Sequence, residues 1–145
     1  MKTKTLYDGP QKTFVVVFDP GEEVVEGLTR FAEENGIDGA EFSGIGALSD
    51  VELGFFEIDT KSYHRIPIDE QVEVVSFTGN FARKDGKAKL HPHIVVSKRD
   101  GTAHGGHLMT AHVRPTLEVV VTESPAYIRR RTDAATGLPL IDLSA

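Results

Sequence analysis

The sequence predicts a single α+β domain, in which a mostly antiparallel or mixed β-sheet carries one main helix. Three observations predict this class. Only one segment, residues 21–36, repeats apolar side chains at helical spacing. Most of the remaining chain consists of short runs rich in β-branched and aromatic residues, which favour strands. Two Asp-Gly pairs separate such runs, and this dipeptide is typical of hairpin turns.

The N-terminal part is expected to hold one strand and the helix. Residues Thr13–Phe18 form a short β-branched run that ends at the turn sequence Asp-Pro-Gly, which predicts a buried strand. In the helical segment, glutamates occupy the first turn and the apolar side chains would share one face. These apolar residues are Val24, Val25, Leu28, Phe31 and Ala32. Gly36 is expected to end the helix.

From residue 39 onward the pattern predicts strands only. Residues 40–59 are expected to carry two strands, separated by a turn at Ser49-Asp50 or by a bend at the glycines. Four further strands are predicted in the segments SYHRIPID, QVEVVSFTGNFARKDG, KAKLHPHIVVSKRDG and TLEVVVTES. The Asp-Gly pairs of RKDGK and KRDGT are predicted to be hairpin turns.

Charge and composition limit the function classes. The chain of 145 residues can bury its own core, and the lack of cysteine excludes disulfides, thiolate metal sites and cysteine nucleophiles. The N-terminal apolar run is too short for a signal or membrane segment, so a cytoplasmic protein without membrane association is expected. A net charge of −6 gives nucleic-acid binding no support. The basic run at residues 129–131 is interpreted as a solvated strand end.

Four of the six histidines lie in the segment LHPHIVVSKRDGTAHGGHL, residues 90–108. In a strand, residues i and i+2 project from the same face about 6.6 Å apart, so His91 and His93 would lie side by side. Pro92 between them has no N–H, which predicts a sheet edge or a bulge at this point.

The returning strand decides which histidine joins this pair. If the Asp-Gly pair formed a two-residue turn, His107 would lie on the wrong face. A shift of one residue, from a bulge at Gly105-Gly106 or from a three-residue turn, would bring His107 opposite His93. In the unshifted register His104 would lie about 13 Å from His93 along the strand. Geometry therefore selects His91, His93 and His107, on the condition of such a shift.

Three neutral imidazoles form a site that suits zinc or another borderline divalent metal. Three protein ligands leave one tetrahedral position open, as in catalytic zinc sites. The competing interpretation is that the His-x-His pair is a surface feature that binds nothing. His64 and His112 are expected to be polar strand or loop positions.

Other candidate sites have less support. Gly44-x-Gly46 lacks the third glycine and the following helix of a dinucleotide-binding loop, and a sharp bend explains it better. Ser43 and Ser76 have no base beside them in the sequence. Glu118 alternates with apolar neighbours and is a candidate general base, with a solvated position as the alternative.

Four segments follow one another in a characteristic order and spacing: FSGIGALSDVELGFFEID, VEVVSFTGNF, LHPHIVVSKRDGTAHGGHL and PTLEVVVTE. Together they resemble the PPC (plants and prokaryotes conserved) domain in its small single-domain prokaryotic form. The resemblance covers roughly residues 10–141 of a single domain spanning residues 1–145. It implies an α+β fold, a homotrimer and a three-histidine metal site, usually taken as zinc. Carried over residue by residue, the ligands are His91, His93 and His107, and no other histidine matches a ligand position.

The resemblance leaves the biochemical function open. Plant members contact DNA through a separate AT-hook, and this sequence keeps only Arg114-Pro115 of such a segment, so DNA binding does not transfer by motif. The first hypothesis is a trimeric zinc-binding domain with a regulatory or assembly role and an unidentified small-molecule or protein partner. The alternative is a metal-dependent enzyme of hydrolase or lyase type that uses the open coordination position.

Overall fold

The computed structural model describes residues 1–124 and 128–144. In these two ranges the chain forms one helix and nine strands. In chain order they are β1 Lys2–Tyr7, β2 Thr13–Phe18, α1 Val24–Glu34, β3 Gly39–Glu57, β4 Ser62–Ile68, β5 Val72–Lys84, β6 Lys87–Ser97, β7 Ala103–Glu123, β8 Arg130–Thr132 and β9 Pro139–Ile141. The named strands pair with one another in antiparallel fashion. The predicted α+β class, with mostly antiparallel strands and a single helix, is confirmed.

Seven strands form one sheet that closes on itself. Its order is β1-β2-β7-β6-β5-β3-β4, and β3 also pairs with β7. The strands β7, β6, β5 and β3 therefore form a ring of hydrogen-bonded neighbours, to which β2 and β4 are added at the outside. Ring closure pairs strand edges that would otherwise be open. The strands β8 and β9 form a separate two-stranded sheet.

The strand β3 is longer than the sequence predicts. It runs without interruption through Gly39–Glu57, so the prediction of two strands with a turn at Ser49-Asp50 or a bend at the glycines is wrong. The chain changes its neighbours here rather than its direction: the first half of β3 pairs with β5 and the second half with β4. The register with β5 shifts between Gly44 and Gly46. A Cβ at Gly46 would lie 2.3 Å from the carbonyl oxygen of Thr116, so close approach of β7 requires glycine at this bulge.

Four other strands also differ from the prediction. The predicted strand at residues 116–124 is the end of β7, which extends back to Ala103. The sequence does not predict β1, because its side chains are all exposed and show no alternation. Pairing with β2 holds it in place, together with ion pairs from the Met1 ammonium group to Asp19 at 2.9 Å and Glu22 at 2.6 Å. The strands β8 and β9 have three residues each, too few to show a period.

The helix α1 forms where the sequence predicts it. It begins after Glu23, whose carboxylate accepts a hydrogen bond from the backbone N–H of Glu26 at 2.6 Å. Just beyond its end, Gly36 has a φ of 63°, which a glycine adopts without strain. Its buried face packs against β6 and β7 and consists of Val24, Gly27, Leu28, Phe31 and Ala32. No helix in the described part of the chain is long and apolar enough to cross a membrane.

Aromatic contacts join the helix and the ring of strands into one core. Phe14 of β2 meets Phe31 of the helix edge to face, with ring centroids 5.2 Å apart. Phe42 of β3 contacts Phe77 at 5.0 Å and Phe81 at 5.4 Å, both on β5. Full burial of one such side chain contributes about 1.5–3 kcal/mol to the free energy of unfolding. All five side chains belong to one hydrophobic core, which packs the helix and the sheet together.

We expect Gly79→Ala to lower the free energy of unfolding by about 1–3 kcal/mol, because the added methyl group overpacks the core. Gly79 of β5 lies opposite Pro92 of β6. A Cβ there would lie 2.3 Å from the carbonyl oxygen of His91 and 2.4 Å from Cζ of Phe42. Urea denaturation measures the effect. Glu73→Ala, on the same strand, is the control, since loss of its exposed side chain should cost less than about 1 kcal/mol, and an equal loss in both variants would contradict the packing argument.

Candidate metal centre

Three histidines from two adjacent strands meet at one point. His91 and His93 lie on β6, and His107 lies on β7. One ring nitrogen from each lies within 4.8 Å of the other two. The ring centroids are 5.1 to 5.4 Å apart. The structure thus brings together the three histidines that strand geometry selects.

The loop between β6 and β7 sets the register that this cluster needs. The backbone N–H of Lys98 donates to the carbonyl oxygen of Thr102 at 2.9 Å, which leaves a three-residue loop with Gly101 at a φ of 82°. This loop is one residue longer than a two-residue turn. It supplies the shift of one position, so His93 lies opposite His107.

Glycine and proline have different roles on the two strands. Gly105 and Gly106 continue the regular ladder, so the alternative of a bulge at this pair is wrong. A Cβ at Gly106 would lie 2.9 Å from the carbonyl oxygen of Gly54 on β3, so the glycine permits close approach of the strands. In the described strands, the part of β6 before His93 pairs with β5 alone. Pro92 therefore lies where one side of the strand is an edge, as predicted.

The spacing of the ring nitrogens fits a tetrahedral ion. The Nε2 atoms of His91 and His93 are 3.2 Å apart. Two imidazole nitrogens bound to zinc at 2.0–2.1 Å would lie roughly 3.3 Å apart. The same spacing suits a hydrogen bond between the rings when one Nε2 carries a proton. In addition, the buried Nδ1 of His107 has no hydrogen-bond partner among the described residues. The residues present therefore fit a metal that prefers nitrogen ligands.

The surroundings favour the neutral imidazole at His107 and His91. Burial, followed by the neighbouring His91, His93 and Lys89, lowers the pKa of His107 to about 4. Burial also lowers the pKa of His91, with further contributions from Arg130 and His93. A neutral imidazole offers the lone pair that a metal binds. At neutral pH these two rings are therefore in the form that can act as a ligand.

Arg130 lies beside the cluster and corrects the interpretation of residues 129–131 as a solvated strand end. Its side chain is buried, with 8% of the residue exposed. Its guanidinium group donates to the carbonyl oxygen of Pro139 at 2.7 Å and to Oδ1 of Asn80, which lies opposite His91. Burial lowers the pKa of Arg130. The sequence does not reveal this burial, because β8 has only three residues, too few to show an alternation of apolar and polar positions.

Tyr63 is a second residue that the sequence analysis misses. Its ring lies on β4, with its centroid 5.0 Å from that of His107, and Phe56 packs against it at 5.2 Å. A Cβ at Gly54 would lie 2.7 Å from Cδ1 of Tyr63. The glycine on β3 therefore leaves room for the tyrosine ring to reach the cluster. Burial raises the pKa of the Tyr63 hydroxyl.

The other three histidines lie outside the cluster. His104 pairs opposite Val96, so its side chain projects from the face of the hairpin opposite the cluster. His64 follows Tyr63 on β4 and projects from the other face of that strand. Nδ1 of His112 lies 2.8 Å from a carboxylate oxygen of Asp50, an interaction that raises the pKa of the histidine.

Glu118 lies far from the cluster within one chain. It stands eleven positions beyond His107 on β7, which corresponds to roughly 30 Å or more along the strand. Its exposed side chain lines a shallow surface depression with Ile45 and Ser43. The role of Glu118 as a general base stays a prediction, and nothing in the surroundings of the cluster adds support to it.

Comparison with known proteins identifies close structural relatives. The model of the Plants and Prokaryotes Conserved (PCC) domain family matches residues 6–125. The chain is 30% identical to a candidate DNA-binding protein from Bacteroides thetaiotaomicron over 99% of both chains, with a TM-score of 0.89. It is 30% identical to a plant- and prokaryote-conserved (PPC) protein from Pyrococcus horikoshii over 90% of both chains, with a TM-score of 0.84.

A third solved structure belongs to a metal-containing protein from Archaeoglobus fulgidus. The two sequences are 34% identical over 97% of this chain and 99% of that chain, with a TM-score of 0.83. Among curated proteins, no sequence matches this chain.

We expect acidification to destabilise the metal-free protein in part through His107. An ordinary histidine of the unfolded chain binds a proton near pH 6.5. In the folded chain His107 binds one only near pH 4. Between these values the unfolded state binds more protons, so the free energy of unfolding falls as the pH is lowered from about 6.5 to about 4. His107→Gln should flatten this dependence by up to about one bound proton.

Urea denaturation in the presence of a chelator, at several pH values across this range, measures the slope. Carboxylates with lowered pKa values, such as Asp50, contribute to acid destabilisation in both proteins, so only the difference between wild type and variant is informative. His104→Gln is the control, because it removes a histidine from the opposite face of the same hairpin. Parallel curves for the wild type and His107→Gln would contradict the expected titration.

Proposed function

Because the chain belongs to the Plants and Prokaryotes Conserved (PCC) domain family, we propose that it is a homotrimeric metal-binding domain with a zinc centre. His91, His93 and His107 would hold the metal and leave one coordination position for a ligand. The family assignment itself is a finding, and it confirms the resemblance to the PPC domain that the sequence indicates.

The convergence of three ring nitrogens within 4.8 Å is the observation that carries this proposal. Among the described residues, the cluster consists of imidazoles alone, without a carboxylate. Magnesium and calcium prefer oxygen ligands, whereas zinc is commonly bound by histidine nitrogens. The donor set therefore supports zinc. The description of the Archaeoglobus fulgidus protein as metal-containing supports a metal in this chain without naming it.

An exposed apolar depression on the sheet supports the homotrimer. It is lined by Val15, Ile45, Val75 and Val120, from four different strands. Ile45 and Val75 are 63% and 58% exposed, which is a large apolar area for a free surface. A second and third copy of the chain would cover this area by a cyclic arrangement.

A second candidate function, a metal-dependent enzyme of hydrolase or lyase type, is favoured by a cavity of about 150 Å³ beside the cluster. His91 and His107 line it, together with Arg130 and Tyr63. Zinc, when bound, supplies Lewis acidity at its open position. The guanidinium group of Arg130 and the ring of Tyr63 would orient a substrate in the cavity. No Asp or Glu belongs to the described lining, so a general base would come from elsewhere.

DNA binding is not part of the proposal, although one similar structure is that of a candidate DNA-binding protein. The chain has a net charge of −6. Within its basic run, Arg130 is buried and Arg131 pairs with Asp142 at 3.1 Å. Phosphate contacts need exposed cations that can release counter-ions. Arg130 and Arg131 are therefore poorly placed to contact the phosphates of a nucleic-acid backbone.

We expect the protein, purified without added metal, to contain about one zinc ion per chain, and His93→Ala to lose most of it, because a tetrahedral site with two protein ligands binds zinc weakly. Mass spectrometry of the metal content measures this, with the oligomer mass determined on the same samples. The control is His104→Ala, which removes a histidine from the same hairpin but from the opposite face. Equal metal content in His93→Ala and the wild type, or no metal in the wild type, would contradict the zinc centre.

We expect the wild type to sediment at three times the chain's 15.8 kDa, and Val120→Glu to shift the mass towards the single chain. The new carboxylate would lie beside Glu118, which lines the same depression, and two like charges buried without a counter-ion oppose association. Leu143→Glu is the matched control, since Leu143 is 95% exposed and lies outside the depression. A wild type that sediments as a monomer at micromolar concentration would rule out the trimer.

A further inference from the structure

The cavity beside the histidine cluster is lined by cationic and imidazole groups. Arg130 and Lys89 line it together with His91 and His107, and the described lining contains no Asp or Glu. The chain as a whole carries a net charge of −6, so the cavity is locally positive in a protein that is negative overall. A concave site with one sign of charge raises the local concentration of ligands of the opposite sign.

The charge of Arg130 is held in place without a counter-ion from the described chain. The residue is 8% exposed, and its two hydrogen bonds go to neutral acceptors, the carbonyl oxygen of Pro139 and Oδ1 of Asn80. Among the described residues, its buried Nε has no hydrogen-bond partner and no carboxylate forms an ion pair with it. Guanidinium has five N–H donors, so donors remain after these two bonds. A buried cation without a partner is costly, and an anion beside it would offset that cost.

Lys89 supplies a second cation from the strand that carries two of the histidines. It precedes His91 by two positions on β6, so both side chains project from the same face. Lys89 is exposed, and like Arg130 it forms no ion pair with a described carboxylate. An anion in the cavity could therefore contact one buried and one solvated cation.

The remaining wall of the cavity is apolar. Leu90, Leu138, Pro139 and Leu140 line it, together with the ring of Tyr63. The volume of about 150 Å³ corresponds to roughly five water molecules, so a ligand of about five to ten non-hydrogen atoms would fill it. The combination of cations on one side and aliphatic groups on the other describes a small amphipathic anion.

We propose that this cavity binds a small monocarboxylate with a short aliphatic group. Its carboxylate lies against Arg130 and Lys89, and its aliphatic group lies against Leu138 and Leu140. The inference deepens the proposed zinc centre and rests on it in one respect, namely that the ligand lies next to the open coordination position. The contact between carboxylate and cations depends on the residues of this chain alone.

Two related ligands test the cationic part and the apolar part of the cavity separately. Butyramide has nearly the shape of butyrate and would fill the apolar wall, but it leaves the cations without a counter-ion. Inorganic phosphate would neutralise the cations, but it has no aliphatic part for the leucine wall. A carboxylate with a short aliphatic chain satisfies both parts of the cavity.

The test is titration of the protein with butyrate, butyramide and inorganic phosphate, followed by NMR chemical-shift changes of residues that line the cavity. We expect saturable butyrate binding that is at least about tenfold tighter than binding of the other two ligands. Lys89→Gln should weaken butyrate binding about three- to tenfold. Arg130→Lys should weaken it more than about tenfold, because lysine lacks the planar fork of arginine.

The control variant is Arg131→Gln, which removes the same charge one position away from an exposed side chain outside the cavity. It should leave butyrate binding unchanged. Lys89 is exposed, so Lys89→Gln should fold. It therefore tests the proposal even if Arg130→Lys does not fold. Equal affinity for butyrate and butyramide would overturn the proposal, as would unchanged butyrate affinity in Lys89→Gln or an equal loss in Arg131→Gln.

His93→Ala separates this inference from the zinc centre, because His93 is a candidate ligand but does not line the cavity. Butyrate binding that persists in His93→Ala, or in a wild type without zinc, would support the carboxylate site and leave the zinc centre to its own test. Normal zinc content in a wild type that does not bind butyrate would overturn the carboxylate site while the proposed metal centre stands.

Discussion

The antiparallel pairing of β6 with β7, in the register that sets His93 opposite His107, is the contact on which the rest of the site depends. Strand side chains alternate between faces, so a slip of one residue would turn His107 away from its two partners. The three-residue loop after Lys98 prevents this slip at one end of the hairpin. Ring closure through β3 prevents it at the other, because β7 at His107 also pairs with Gly54. The histidine cluster is thus held by the hydrogen bonds of three strands.

The electrostatics of the site follow from what these strands bury. Burial and neighbouring cations favour the neutral imidazole at His91 and His107, which is the form that binds a metal. Arg130 is one of those cations; it is the first residue of β8, donates a hydrogen bond to the carbonyl oxygen of Pro139 on β9, and lines the cavity. A protein with an overall negative charge thereby contains a positively charged concave site. A divalent metal would add further positive charge, which strengthens the case for an anionic ligand.

Much of the fold was predictable, and the errors have a common physical origin. The helix and the hairpin turns depend on side chains a few positions apart, and the structure contains them where the patterns predict. By contrast, Ser49-Asp50 has the composition of a turn, yet β3 passes straight through it. β7 pairs with Asp50 itself, while β5 pairs with β3 up to Leu48 and β4 pairs with it from Val51 onward. Arg130 carries the same local signal as its exposed neighbour Arg131, and only the packing of residues 138–140 distinguishes them. Likewise, nothing in the sequence distinguishes Tyr63 from the other aromatic residues. Its ring reaches the cluster because Gly54 leaves room for it.

The sequence by itself determined the features that arise between near neighbours: the period of the helix, the turn chemistry of Asp-Gly and the side-by-side placement of His91 and His93. For His107 it left a choice between two registers. Only the tertiary structure decided that choice, together with the continuity of β3 and the burial of Arg130. The physical reason is that strand register and burial depend on the free energy of the whole packed sheet. A local pattern shows which residues can share a face, but not which distant strand will cover it.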